Sequence, residues 1–283
     1  MAGESCEVLI SNVGDISQED ERMRFAFEFL AVAIVILIVG TAGRIAAQEE
    51  GLVLYLSFDE GVGDTAKDSS GHGNNGEING PKWVEGADEK ALEFDGTDDY
   101  VEVSYNDMFN INDAMTLAAW VKPAMAPFAG EQWRGIINGQ KSTHGPYLLQ
   151  MSAANGEIGA WFGGTWSWQV TTAILDTENF WHLVGTYEDG EGFKNYVNGE
   201  LDSQKAQQGP IIDNVNEGVV IGHNYSFANR WFQGIIDEAV IYNRALTEDE
   251  VRDLYEGNIK ARVVAVNPGD ALATTWARIK DAR

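Results

Sequence analysis

The chain has 283 residues, with 44 Asp and Glu against 19 Lys and Arg, for a formal net charge of −25. That balance excludes the basic footprint of a nucleic-acid binder and a basic anchor on anionic lipid. Cys6 is the only cysteine, so neither an intrachain disulfide nor a cysteine zinc cluster can form, while 44% hydrophobic residues suffice for a core.

Residues 1–47 read as a leader. Its apolar core, residues 29–40 (FLAVAIVILIVG), is short for a spanning helix, which needs about 20 apolar residues, and has the length of a signal h-region. Ala42, Ala46 and Ala47 put small residues near a cleavage point, so a mature chain would begin near Gln48. The acidic stretch before Met23 makes a poor n-region, whereas Met23 and Arg24 make a normal one, which points to translation from Met23. Two outcomes stay open. A cleaved signal gives a secreted or envelope protein, and an uncleaved one gives a single-pass anchor with the domain outside.

Residues 48–257 have an all-β texture. Predicted strands are 52–58, 91–94, 100–103, 115–121, 135–138, 147–151, 158–162, 168–173, 181–187, 193–197, 219–222 and 235–242, separated by Gly, Asn and Asp turns. Between the first two lies the loop DSSGHGNNGEINGP, residues 68–81, whose Gly, Asn and Asp residues favour turns. VNGE at 197–200 carries the Asn-Gly signal of a type I′ hairpin. One helix is specified: Thr247 as N-cap with Glu250 three residues on, Leu246 and Val251 as a hydrophobic staple, and Gly257 as the stop. Residues 258–283 form a basic tail, with a possible strand at 262–266 and a short helix at 273–280.

The runs GLVLYLSFDEG, DSSGHGNNG, ALEFDGTDDYVEV and MTLAAWVKP, followed by FWHLVGTYEDGEGFKNYVNGE, IGHN and RWFQGIIDEAVIYNRALTEDEVRDLY, resemble a LamG-like jelly-roll domain of the concanavalin A-like lectin/glucanase superfamily. The resemblance covers 51–257 in the family's order. It implies a concanavalin A-like sandwich of two antiparallel sheets with a short C-terminal helix. It also implies frequent calcium binding and recognition of carbohydrate or protein, usually without catalysis. Many members carry a disulfide near the C-terminal hairpin, which this chain lacks.

Calcium takes six to eight oxygens from carboxylates, amides, carbonyls and water. In related folds a structural calcium ties the first strand region to the last. That pattern, carried over, implies a site of Asp59, a loop carbonyl at Asn75 or Gly76, and Asp237. The 68–81 loop does not read as an EF-hand, since its fifth position is His72 and its twelfth Asn79. Gly71–Gly76 formally matches GxGxxG, yet EINGP follows instead of a helix, so no nucleotide is expected.

The paired carboxylates of a glycosidase are missing as well. No ExDxE run exists, and Asp237 and Glu238 are adjacent, which on a regular strand would turn them to opposite faces. No enzyme is expected. Sugars stack on exposed aromatic rings, and Trp133, Trp166, Tyr225 and Trp231 sit at loops or strand starts; the other reading is that they cap the open end of the sandwich. Trp120 and Trp181, inside strand patterns, read as core. The expected function is an exported, non-catalytic module that binds an extracellular or cell-surface glycan and carries a structural calcium. The alternative is an adhesion module that binds an extracellular protein.

Overall fold

The computed structural model describes residues 49–124, 133–139, 146–152, 157–162, 168–211, 217–224, 229–257 and 259. The chain divides into a unit Met1–Ala47 and a unit Gln48–Arg283. The expected signal or anchor, the strand and helix of the basic tail, Trp166 and Tyr225 all lie outside the described residues. Among those described, no helix is long and apolar enough to cross a membrane.

Two antiparallel sheets of eight strands pack as a jelly-roll sandwich, as expected. Strands are numbered in chain order. The first sheet runs β14 (Glu200–Lys205), β13 (Gly192–Val197), β12 (Trp181–Glu188), β7 (Ala114–Pro123), β16 (Gln233–Tyr242), β5 (Lys90–Asp95) and β4 (Lys82–Glu85), with β1 (Leu52–Leu56) also paired to β16. The second runs β11 (Trp168–Val170), β10 (Ile158–Phe162), β9 (Tyr147–Ser152), β8 (Trp133–Asn138), β15 (Val219–Ile221), β6 (Tyr100–Val103), β3 (Gly76–Asn79) and β2 (Thr65–Ala66).

Side-chain alternation splits the first sheet between two cores. On β7, Met115, Leu117, Ala119 and Val121 join the core between the sheets. Ala118 faces the other way, with Val184 and Val240, into a second cluster closed by Val251 and Leu254 of helix α1 (Glu248–Tyr255). Thr247 and Glu250 form the expected capping box, and Arg244 grips Glu250 with two bonds of 2.9 and 2.7 Å. Leu246 is buried in the same cluster as Val251. Asn198 and Gly199, at φ 52° and 80°, supply the two positive angles that a type I′ turn needs between Val197 and Glu200.

The unforeseen strands are β2, β3, β4 and β14. These lie at or near sheet edges and offer little apolar signal: β14 reads ELDSQK and buries none of its residues. β3, GEIN, lies inside the loop read as all turn, where Ile78 pairs with Val101. The first strand ends at Leu56, before the expected Phe58, because Phe58 takes φ 56°, outside any strand geometry.

β1 is buried along its whole length and pairs with β16 on one side only. The loop starting at Asp68 covers its other edge, which would otherwise expose unpaired backbone groups. The Ser69 N–H donates to the Tyr55 carbonyl at 2.8 Å. Asp68 Oδ1 accepts from the N–H groups of Tyr55 (3.1 Å) and Ser70 (2.9 Å), and Oδ2 from the Ser70 hydroxyl (2.7 Å) and the Asn74 N–H (2.9 Å). Asn74 Nδ2 reaches the Val53 carbonyl at 3.0 Å. The polar groups of DSSGHGNN thus bind strand and loop to each other.

Candidate functional site

β7 occupies one edge of β16 along most of its length, so β5 and β1 share the other end to end: β5 pairs with Gln233–Ile236 and β1 with Ala239–Tyr242. The junction between them falls at Asp237 and Glu238. There β16 carries a β-bulge: Asp237 faces Trp120 and Val240 faces Ala118, so that Glu238 and Ala239 together stand opposite Ala119. Glu238 takes φ 53°. Simple alternation therefore fails at this pair. Both carboxylates are buried in one acidic cluster, contrary to the expectation that they face apart.

The β4–β5 turn closes over Asp237. The N–H groups of Ala87 and Asp88 donate to its Oδ2 at 2.9 and 3.3 Å, while the Lys90 N–H donates to Asp59 Oδ1 at 3.4 Å. An ideal Cβ on Gly86 would lie 2.4 Å from Asp237 Oδ2 and 2.9 Å from the carbonyl oxygens of Asp88 and Lys90. Three oxygens thus converge on a position where a side chain has no room. Asp237 Oδ1 is buried with no hydrogen-bond partner. Tyr55 donates its hydroxyl hydrogen to Glu238 Oε2. Burial, and then the charge of Glu238, raise the Asp237 carboxyl to about 8 against the pull of the Asp88 and Ala87 N–H groups, and Asp59 adds to the rise. Burial and the same acids push the Tyr55 hydroxyl well up.

Four described non-glycine residues have positive φ, and three of them flank this cluster: Phe58 before Asp59, Glu89 in the turn, and Glu238. Unfavourable backbone geometry costs about 1–3 kcal/mol per residue and concentrates where a site over-determines the chain. Carboxylates of the first and last strand regions, main-chain carbonyls of a turn and a buried orphan oxygen form an all-oxygen donor set that fits calcium.

Asn75 Oδ1 accepts from the Asp68 N–H at 2.9 Å, and Gly76 pairs with Ala66 and Val103 in the second sheet. The Gly86–Lys90 turn lies against Asp237, with the carbonyls of Asp88 and Lys90 beside its carboxylate. The sequence held a hint of it, since a glycine opens the turn GADE just ahead of the strand KALEFD. A second acidic group, Asp95, Asp98 and Asp99, has ligand atoms within 4.8 Å of one another. Its oxygens already serve the turn: Asp95 Oδ1 accepts from Thr97 N–H (2.7 Å) and Asp99 Oδ2 from Asp95 N–H (2.8 Å).

Trp133 and Trp231 are half-buried at one end of the second sheet. Arg134 joins their segments, donating to the carbonyls of Asn229 (2.6 Å) and Trp231 (3.1 Å). His223 stacks on the Trp231 ring at 3.5 Å between centroids and 11° between planes, and Tyr100 lies 6.1 Å away. Trp181 packs against the inter-sheet core, as expected. Trp120 does not. It shares the face of Ala118, beside Tyr255 (5.4 Å) and His182 (5.1 Å), and counting alternate residues from Leu117 would have put it there.

Sandwich, capped helix and bulged last strand define the class of a jelly-roll recognition domain. The chain belongs to the family described as the concanavalin A-like lectin/glucanases superfamily (Laminin_G_3), which it matches over residues 95–252, more than half its length. Such domains are typically non-catalytic recognition or adhesion modules. A stretch of 76 residues, 26% of this chain, is 36% identical to adhesion G-protein coupled receptor D1 of Bos taurus, and one of 77 residues is 39% identical to the Homo sapiens receptor. The matches span 8% and 9% of those receptors.

Among solved structures, the binding domain of Paraclostridial mosquitocidal protein 1 is similar with a TM-score of 0.60 at 19% identity, covering 74% of this chain and 52% of that one. Domain 4 of AbnA, an extracellular arabinanase from Geobacillus stearothermophilus solved with arabinotriose, gives 0.54 at 20%, covering 73% and 100%. Trypanosoma rangeli sialidase gives 0.54 at 19%, covering 76% and 34%. At these identities the likeness is one of fold.

Proposed function

We propose that the chain is an exported adhesion module that binds a protein partner outside the cell, with a calcium ion bracing the junction of β1, β5 and β16. The observation that carries the partner class is the 36–39% identity to adhesion receptors, against 20% or less for the sugar-bound structural relatives. The stack of His223 on Trp231 agrees, since it uses one face of a ring that a sugar would need. Asp59, Asp237 and the carbonyls of Asp88 and Lys90 would hold the calcium. Its role is to join strands from the two ends of the domain and to balance their buried charge. Nothing in this reading requires a reaction.

A glycan-binding reading has its own support in the half-buried Trp133 and in the fold shared with a domain solved with arabinotriose. The deciding experiment screens the protein against an array of extracellular proteins and an array of glycans, each with calcium and with chelator. Saturable capture by a protein, with the glycan array blank, is expected. Capture by glycans alone would overturn the adhesion reading.

A further inference from the structure

A cavity of about 420 Å³ lies on the outer face of the first sheet, under the C-terminal end of α1. Three rings line it: Trp120, His182 and Tyr255, with centroids 5.1 to 6.0 Å apart. Three acids line it too, Asp88, Glu238 and Glu256, and no Lys or Arg does among the described residues. The last turn of α1 ends at its wall, so the negative end of the helix dipole adds to the carboxylates. Ring faces carry negative quadrupole potential as well. Burial holds the His182 imidazole down at about 3, so it brings no positive charge.

His182 also lacks something. The residue is 3% exposed, and its Nδ1 has no hydrogen-bond partner. An unpaired buried nitrogen is costly unless a ligand completes it. The rings and the three carboxylates around His182 favour a positively charged donor over a neutral one.

We infer that this cavity is a binding site for a cationic side chain, the ammonium or guanidinium group of a lysine or arginine presented by the partner protein. The inference rests on the adhesion reading and names the chemistry of its contact. An anionic ligand such as a phosphate or a sialate would meet like charge at Asp88, Glu238 and Glu256. A lysine or arginine stem would lie on the Trp120 and Tyr255 rings, with its N–H groups directed to Glu238 and Glu256.

The test uses the full chain at constant calcium, with N-acetyl-lysine amide, N-acetyl-arginine amide and the neutral N-acetyl-norleucine amide as probes. NMR reads the side-chain signals of His182 and Trp120. Saturable shifts are expected with a cationic amide, about tenfold weaker with the neutral one, and weakened by Glu256→Gln. Equal shifts from all three probes, or none, would overturn the site. Markedly tighter binding in a Lys260→Ala, Arg262→Ala chain would show the protein's own tail as the occupant and overturn the assignment to a partner. A protein captured on the array and not displaced by the cationic amides keeps the adhesion reading and sinks the cavity. Saturable amide binding with no protein captured does the reverse.

Discussion

The hydroxyl of Tyr55 on β1 donates to the carboxylate of Glu238 on β16, across 183 residues of sequence. This bond fastens the first strand of the domain to the last at the point where the last strand bulges. Tyr55→Phe removes the donor from a buried carboxylate and leaves the packing of the ring intact. Unfolding by urea should show a loss of about 1–3 kcal/mol. An unchanged midpoint would mean that another donor replaces the hydroxyl.

Two carboxylates should give stability a pH profile with opposite slopes. Glu250, held down at about 2 chiefly by Arg244, contributes stability that is full above its unfolded value of 4.5 and is lost as pH falls toward 2. Asp237, raised from 3.8 to about 8, works the other way: the native chain keeps a proton that the unfolded chain has released, so stability falls as pH rises through that window in calcium-free buffer. A cation favours the ionised form, so added calcium should stabilise more at pH 8 than at pH 5. Thermal melts at fixed ionic strength, with calcium or with chelator, read both effects. A calcium response that does not grow with pH would sink the assignment of Asp237 as a ligand.

Gly86→Ala tests the turn. The added Cβ would fall 2.4 Å from Asp237 Oδ2 and 2.9 Å from two backbone carbonyls, so the turn must move off the carboxylate. Overpacking of this kind costs about 1–3 kcal/mol. The calcium-induced rise in melting temperature should be lost as well, because a ligand that binds only the native state stabilises by linkage. Retention of the full calcium response would exclude the turn carbonyls from the site.

The parts of this architecture legible in sequence are those that local physics dictates. The capping box at Thr247 and Glu250 needs only a spacing of three, and the Asn198-Gly199 hairpin only two residues that tolerate positive φ. Asp59 and Asp237 came from a family pattern, since no local rule brings residues so distant in sequence together. The Gly86–Lys90 turn shows in sequence only as a glycine ahead of a strand, because its contribution is main-chain carbonyls, which every residue type carries. The bulge was hidden for a related reason: it breaks the alternation on which the reading of Asp237 and Glu238 relied. Trp120 shows the opposite failure. Its parity with Ala118 puts it on the outer face, although it lies inside an apolar strand.

The loop from Asp68 to Gly76 yields the sharpest contrast with the proposed calcium site. Asp68 alone accepts from Tyr55, Ser70 and Asn74, four bonds that hold the loop on the open edge of β1. Asp68→Ala leaves those donors without their acceptor, and hydrogen bonds to a charged group contribute about 1.5–3 kcal/mol each. Several lost together should lower stability by more than any other single change proposed for this domain, with partial relief in Asp68→Asn, which keeps one oxygen. Hydrogen exchange should speed at the Tyr55 and Asn74 amides first. The calcium response of Asp68→Ala, measured in the still-folded protein at low temperature, should match that of the parent chain, because the loop and the Asp59–Asp237 junction are held by different bonds. Loss of that response would return Asn75 and Gly76 to the cation site and remove the Gly86–Lys90 turn from it.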